Sequence, residues 1–121
     1  MNNNSTANIE QKELARENKI DIIPDDSPVE YMDTYEVAKD YLEFAPISRS
    51  KLYEILLSEG HEVEAASYVV ASVQVDWGKN ALKKAHNLLQ VQGFSKHEMI
   101  DQLSFEGYTE DSIRYAIKKI Y

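Results

Sequence analysis

The side chains that could carry chemistry in this sequence are mostly carboxylates. The chain holds 21 aspartates and glutamates, 13 lysines and arginines, three histidines and no cysteine. The lack of cysteine excludes disulfides, thiol nucleophiles and thiolate metal sites. His97 and Asp101 stand four residues apart, a spacing that places two ligands on one helix face, but no third ligand is near them in the sequence. We therefore interpret this pair as a surface contact, and no metal or other cofactor is expected.

Motifs typical of enzymes are also missing from the sequence. It contains no glycine-rich phosphate loop and no strand-turn-helix nucleophile motif. Its carboxylates fall in segments that read as helix surfaces, without the apolar surroundings that tune a carboxyl group for acid–base catalysis. The sequence therefore predicts a binding protein and not an enzyme.

The carboxylates cluster in two stretches, neither of which contains a lysine or an arginine. One stretch runs from Met99 to Ser112 and the other from Leu52 to Val75, while the bases of the second half stand elsewhere in the sequence. An acidic patch attracts basic partners and repels nucleic acid. The predicted partner-binding residues are Glu98, Asp101, Glu106, Glu110 and Asp111, with Glu54, Glu59, Glu62 and Glu64 in support.

Helix stability is an alternative reason for part of this patch. Acids in a first helical turn complement the helix dipole by roughly 0.3–1 kcal/mol each, which would account for Glu110 and Asp111. It does not account for Glu59 and Glu106, which stand near helix C-termini, where an acid is unfavourable. Their presence in both halves indicates a use, either binding of a partner's cation or a local bond across the adjacent glycine turn.

The segment "SFEGYTEDSIRYAI" at 104–117 reads as a helix, a glycine turn and a second helix. This is the core of a helix-turn-helix, whose second helix presents its N-terminal residues to bases and phosphates when it binds DNA. Here those positions hold Glu110 and Asp111, and the corresponding helix of the first half begins with Glu64. We therefore expect no nucleic-acid partner.

An internal duplication must position these side chains. Residues 38–74 align with residues 85–121 at a constant offset of 47 without a gap. The matches fall at apolar and turn positions, where a shared fold requires them. The identical pairs are Ala38/Ala85, Leu42/Leu89, Ser48/Ser95, Leu56/Leu103, Glu59/Glu106, Gly60/Gly107 and Tyr68/Tyr115.

Each copy predicts three short helices with apolar residues at helical spacing. The expected N-terminal caps are Asp33 or Thr34, Ser48, Asp76, Ser95 in a capping box with Glu98, and Thr109. The expected C-terminal glycines are Gly60, Gly93 and Gly107. The predicted fold is therefore all-α, a tandem repeat of two three-helix helix-turn-helix units, at 34–76 and 77–121.

Units of about 40 residues are marginally stable alone, so the two copies should pack together and share a core, with Trp77 near their junction. Residues 1–33 carry eight acidic and three basic side chains and two prolines. They predict a flexible acidic tether, in which a short helix near Glu10–Asn18 is allowed. The sequence contains neither a signal peptide nor an apolar run of the roughly 20 residues that span a bilayer.

The segment "NALKKAHNLLQVQGFSKHEMIDQLSFEGYTEDSIRYAI" resembles the repeat of the host cell surface-exposed lipoproteins, the Ltp-like family. The first copy departs from the family pattern, because Pro46 replaces a glycine and His61-Glu62 replaces Tyr-Thr. The "VDW" at 75–77 is also common in the family. The matching positions are Ala81, Ala85, Leu88, Phe94, Ser95, Gln102, Leu103, Glu106, Gly107, Tyr108, Thr109 and Ala116.

This resemblance implies a domain at the outer face of the cytoplasmic membrane of a Gram-positive host, and we expect it to be a monomer. Its only membrane contact would be a lipid anchor on an N-terminal cysteine, which this sequence lacks. Phage-encoded members act in superinfection exclusion and are thought to block DNA injection by engaging the phage tape measure protein. The expected function is thus capture of a basic segment of that protein by the acidic patch.

Two alternatives remain open from the sequence. One is a bacterial cell-wall or cell-surface binding module without a phage function, in which exposed Tyr53, Tyr108 and Tyr115 would carry recognition. The other is a divergent DNA-binding protein. A pull-down on purified cell wall and a gel shift at low salt distinguish these from capture of a phage protein.

Overall fold

Residues 22–121 form two three-helix units in the computed structural model, which describes this part of the chain. The helices are a short 3-10 helix at Val29–Tyr31, then α1 at Met32–Phe44, α2 at Arg49–Ser58, α3 at Val63–Ser72, α4 at Trp77–Val91, α5 at Lys96–Phe105 and α6 at Glu110–Ile120. This range contains no strand. The predicted all-α tandem repeat is confirmed, whereas the helix allowed near Glu10–Asn18 lies outside the described residues.

Polar side chains begin most of the helices, as predicted. Ser48 caps α2 by accepting a hydrogen bond from the backbone amide of Lys51 at 3.1 Å. Ser95 and Glu98 form the expected capping box, in which Ser95 Oγ accepts from the Glu98 amide at 3.1 Å and Glu98 Oε1 accepts from the Ser95 amide at 2.8 Å. Each bond satisfies a donor that the first helical turn leaves free. Asp76 and Thr109 cap α4 and α6 in the same manner.

One predicted N-cap and the conformation expected at one C-terminal glycine are wrong. The 3-10 helix leads directly into α1, so Tyr31 stands at the N-cap and Asp33 and Thr34 lie within the first turn. Thr34 Oγ1 instead pairs with His61 Nδ1 at 2.8 Å. At the end of α4 the chain leaves the helix through Gln92 in an extended conformation, and Gly93 does not adopt a positive φ.

The glycine turns after α2 and α5 adopt the expected left-handed conformation. Gly60 has a φ of 95° and Gly107 a φ of 97°. Behind Gly107, the Tyr108 amide donates to the Leu103 carbonyl at 3.1 Å and the Gly107 amide donates to the Ser104 carbonyl at 3.0 Å. These two bonds define a Schellman motif, so the turn that joins α5 to α6 has a fixed geometry.

Each repeat buries its own core, and the expectation of one shared core is wrong. In repeat 1, Tyr35, Leu52, Leu56 and Val69 are inaccessible to solvent; in repeat 2, Met99, Leu103 and Ala116 are. Trp77 is the exception to this division, because it begins α4 but packs against the core of repeat 1. It therefore lies at the junction, as predicted.

Polar bonds join the two repeats beside Trp77. The start of α2 meets the turn between α5 and α6, and the guanidinium of Arg49 lies 5.5 Å from the centre of the Trp77 ring. The bonds across the junction run from Ser48 Oγ to the Glu106 carbonyl at 2.8 Å, from Ser50 Oγ to the Gly107 carbonyl at 3.0 Å, and from Asn80 Nδ2 to the Ile47 carbonyl at 3.2 Å. Directional bonds of this kind fix the relative orientation of two units that have separate cores.

The segment before α1 is bound to repeat 1 from its first described residue. Ile22 is buried in the core of that repeat, and its carbonyl accepts a hydrogen bond from the Gln74 amide at 2.9 Å. The predicted flexible tether is therefore wrong from Ile22 to Asp33. The apolar "IDII" cluster accounts for the difference, because burial of Ile22 holds this segment against the helices.

We expect Ile22→Ala to lower the free energy of unfolding by about 2 kcal/mol, because it leaves a cavity in the core of repeat 1. Val29→Ala is the matched control in the same segment, since Val29 is 87% exposed. Its effect should stay within about 0.5 kcal/mol. Urea denaturation followed by circular dichroism measures both. Equal stability of the two variants would contradict the docking of this segment.

Candidate partner-binding surface

Glu106, one of the predicted binding residues, forms an ion pair that connects the end of α5 to α4. Its Oε2 lies 3.7 Å from Lys84 Nζ and accepts a hydrogen bond from Gln102 Nε2 at 3.1 Å. Both charged side chains are mostly shielded from solvent. Part of the charge of Glu106 is thus neutralised within the domain.

Glu110 and Asp111 at the start of α6 share one basic partner. Arg114 Nη2 donates to Glu110 Oε1 at 2.9 Å, and Arg114 Nη1 donates to Asp111 Oδ1 at 3.1 Å. The expectation that the bases stand apart from these acids is therefore wrong for Arg114 and for Lys84. The pairs are exposed, and exposed ion pairs contribute only about 0–1 kcal/mol, so a partner's cation can compete for them.

The remaining two acids of repeat 2 also have local partners. The pKa of Glu98 lies below its usual range because its carboxylate accepts hydrogen bonds from Ser95 at the start of the helix. The backbone amide of Ser95 makes the larger contribution and its hydroxyl the smaller one. Asp101 lies 3.4 Å from His97 Nε2 in the predicted surface pair. Within residues 22–121, no group of three or more histidines and carboxylates is arranged to hold a metal ion.

Glu59 is the counterpart of Glu106, and it also bonds back to the first helix of its repeat. Its Oε1 accepts a hydrogen bond from the Tyr41 hydroxyl at 2.5 Å, which raises the pKa of that phenol. The two unfavourably placed acids thus make equivalent contacts with α1 and α4. This finding supports the local-bond alternative for both residues, although the partner of Glu59 is a neutral phenol and that of Glu106 is a lysine.

The other acids of repeat 1 are less neutralised than those of repeat 2. Glu64 Oε1 accepts from the Tyr31 hydroxyl at 3.2 Å, again a neutral partner. Glu62 is exposed at the N-cap of α3, where its side chain makes no capping bond. Among residues 22–121, Glu54 is the only one of these four acids with a basic partner, Lys51 at 3.9 Å. The other three supporting acids have no basic partner within this part of the chain.

Counting charges by repeat shows the same asymmetry. Residues 22–75 contain eleven acidic and three basic residues, whereas residues 76–121 contain six acidic and seven basic residues. The negative charge of the chain thus belongs to repeat 1 and its preceding segment. This signal is present in the sequence, where the stretch from Leu52 to Val75 contains four acids and no lysine or arginine.

The junction brings predicted acids of both repeats together around an exposed ring. Glu54 and Glu106 line one surface pocket of about 190 Å³, together with Phe105. Phe105 is 85% exposed at the end of α5. Phe105 was not among the predicted binding residues. The only indication of its exposure in the sequence is that it does not lie on the helix face of Met99 and Leu103, which points to the core. Exposed aromatic rings beside charges are common in protein interfaces.

The tyrosines assigned to cell-wall recognition do not form an exposed face. Tyr108 is buried, and burial raises the pKa of its phenol. Tyr115 packs against Gly78 of α4 and holds the ammonium of Lys119 5.6 Å from its ring centre. Tyr53 is half-buried. The expectation of exposure is wrong for Tyr108, which removes one of the three residues that this alternative requires.

Comparisons with known proteins agree with the tandem architecture. A family model described as host cell surface-exposed lipoprotein matches residues 30–73 and 76–120, one match in each repeat. Among solved structures, the chain is similar to Ltp, a superinfection exclusion protein from the Streptococcus thermophilus temperate phage TP-J34. The TM-score is 0.71 at 29% sequence identity, and the match covers 78% of this chain and 99% of that one. A comparison with curated proteins gave no match.

Among residues 22–121, no helix combines the length and apolar character that crossing a bilayer requires. The resemblance noted in the sequence is confirmed by the family match over both repeats. The chain belongs to the host cell surface-exposed lipoprotein family.

Proposed function

We propose that this domain is a superinfection exclusion protein that blocks phage DNA injection by binding the tape measure protein of the incoming phage. The observation that carries the proposal is the similarity to Ltp, a superinfection exclusion protein, over 99% of that chain. Both repeats of this chain match the family model, so the similarity includes the whole tandem domain and not a single helix-turn-helix.

The proposed location is the outer face of the cytoplasmic membrane of a Gram-positive host, where a lipid anchor holds the domain. The family description as a surface-exposed lipoprotein supports this location. A domain at this face meets injected phage proteins as they reach the membrane and before the DNA crosses it. Exclusion then requires only binding, without catalysis.

The charge distribution supports a basic segment as the bound part of the target. Eleven acids against three bases in residues 22–75 attract a cationic segment over roughly the 10 Å range that physiological salt allows. Such attraction raises association rates and fixes orientation more than it adds affinity. The proposed contacts are foremost Glu54, Glu59, Glu62 and Glu64, and secondarily Glu98, Asp101, Glu106, Glu110 and Asp111.

Two matched sets of substitutions test this proposal. One set changes Glu54, Glu59, Glu62 and Glu64 to glutamine; the other changes Asp101, Glu106, Glu110 and Asp111 to their amides. We expect the first set to weaken binding of purified tape measure protein about tenfold or more at low salt and to restore plaque formation on cells that carry the anchored protein. The second set should weaken binding less, because Lys84 and Arg114 already neutralise part of its charge.

Salt dependence and folding provide the controls. Wild-type binding should weaken between about 50 and 500 mM salt, and the first set should show a smaller dependence, because fewer charges remain to be screened. The helical circular dichroism spectrum of each variant must match the wild type. A wild-type domain that excludes phage but does not bind the tape measure protein would refute the proposed target. Retention on purified cell wall or a gel shift with DNA at low salt would favour the alternatives.

A further inference from the structure

Two tyrosines of repeat 1 face each other on the surface beside a carboxylate. The rings of Tyr31, at the end of the 3-10 helix, and Tyr68, on α3, have centroids 5.0 Å apart and are tilted by 39°. Tyr68 is 43% exposed. Glu64 lies one turn before Tyr68 on α3, and its Oε1 accepts the hydrogen bond from the Tyr31 hydroxyl. A pair of rings, of which Tyr68 is exposed and Tyr31 is half-buried against the core of repeat 1, therefore lies beside a carboxylate on the acidic half of the chain.

Repeat 2 shows how the duplicated tyrosine is used. Tyr115 is the counterpart of Tyr68, and the ammonium of Lys119 lies 5.6 Å from the centre of its ring. In repeat 1 the counterpart of Lys119 is Ser72, whose hydroxyl donates to the Tyr68 carbonyl at 2.7 Å. Within residues 22–121, no lysine or arginine lies over the Tyr68 ring. Repeat 1 thus keeps the ring but lacks the internal cation.

The chemistry of this cluster selects a cationic side chain. Aromatic faces attract a guanidinium or ammonium through the ring quadrupole. A carboxylate beside the ring adds an acceptor, and Glu64 uses only Oε1 in its bond to Tyr31. Arginine fits this combination better than lysine, because its planar guanidinium can stack on a ring while its edge donates to a carboxylate.

We infer that Tyr31, Tyr68 and Glu64 form a docking site for an arginine side chain of a basic protein segment. The identification of that segment with the tape measure protein rests on the proposed function. The site fixes where the segment lies on the domain. The segment binds across the 3-10 helix and α3, where the partner of Glu64 among residues 22–121 is the neutral hydroxyl of Tyr31.

An NMR titration of the isotope-labelled 121-residue protein tests the site with a defined probe. The probe is a hexapeptide of alternating arginine and glycine, and the same peptide with citrulline in place of arginine is its uncharged control. We expect the arginine peptide to shift the ring signals of Tyr31 and Tyr68, and the citrulline peptide to leave them unchanged. Shifts that are largest elsewhere on the domain would overturn the inference.

Single substitutions separate the ring from the charge. Tyr68→Ala and Glu64→Gln should each weaken binding of the arginine peptide about three- to tenfold, the range of a cation–π or exposed charge contact. Tyr68→Phe should bind as wild type, because the ring and not the hydroxyl meets the cation. Phe44→Ala is the matched control, since it removes a ring that is 88% exposed at another place in repeat 1. Unchanged binding by both Tyr68→Ala and Glu64→Gln would refute the site.

The same variants, assayed with purified tape measure protein, distinguish this inference from the proposed function. Weaker binding by Tyr68→Ala than by Phe44→Ala supports both. Equal binding by wild type and Tyr68→Ala would refute the docking site while the proposed target stands. If the tape measure protein does not bind but the arginine peptide still shifts Tyr68, the target is wrong and the site stands.

Discussion

Replacing Gly107 with alanine is expected to destabilise the domain by about 3–4 kcal/mol, whereas Gly60→Ala should cost only about 1–2 kcal/mol. The two glycines are counterparts with nearly equal φ angles, 97° and 95°, so the conformational penalty for a side chain is the same at both. Their surroundings differ. A Cβ on Gly107 would come within 2.8 Å of Ser48 Oγ and closer still to Ser50 Oγ, whereas a Cβ on Gly60 would meet nothing within 4 Å.

The difference between these two variants therefore measures how tightly the start of α2 packs on the turn of repeat 2. Urea denaturation monitored by circular dichroism gives both values. Ser50→Ala in the Gly107→Ala background should recover part of the loss, because it removes the nearest overlapping atom. Equal destabilisation by Gly107→Ala and Gly60→Ala would show that the junction is looser than its hydrogen bonds indicate.

Local features of this fold could be predicted from the sequence because their causes lie within about four residues. Ser95 and Glu98 form their capping box within one turn, and Gly107 ends α5 through bonds to residues just before it. The incorrect prediction of Thr34 as a helix cap has a different origin. Thr34 is a suitable cap by residue type, but the preceding 3-10 helix and its bond to His61 place it inside α1.

The candidate surface was less predictable because its contacts join residues far apart in the sequence. Lys84 reaches Glu106 only through the arrangement of α4 and α5, and Tyr31 meets Tyr68 across 37 positions. Arg114 is the exception, since its spacing of three and four residues from Asp111 and Glu110 already predicts a pair on a helix. The choice of repeat 2 as the main acidic surface therefore overlooked a signal that the sequence contained.

The separate cores of the two repeats lead to a second prediction with a large effect on stability. Leu56→Ala and Leu103→Ala remove counterpart side chains that are fully buried in repeats 1 and 2. Each should lower the free energy of unfolding of its own repeat by about 2–5 kcal/mol. The repeats are joined by polar bonds, one linker and the single side chain of Trp77, so amide hydrogen exchange should rise chiefly in the altered repeat. Equal acceleration in both repeats would show that the junction couples them into one unit.

The functional consequence of these two variants should be unequal, although their chemistry is the same. Leu56→Ala loosens the repeat that carries Tyr68 and Glu64, so binding of the arginine peptide should fall in proportion to the unfolded fraction of repeat 1. Leu103→Ala leaves that repeat folded and should bind nearly as wild type. Peptide affinity measured beside hydrogen exchange on the same samples tests this pairing. If Leu103→Ala lost binding while repeat 1 stayed protected from exchange, recognition would depend on repeat 2, and the acids of α5 and α6 would become the contact surface.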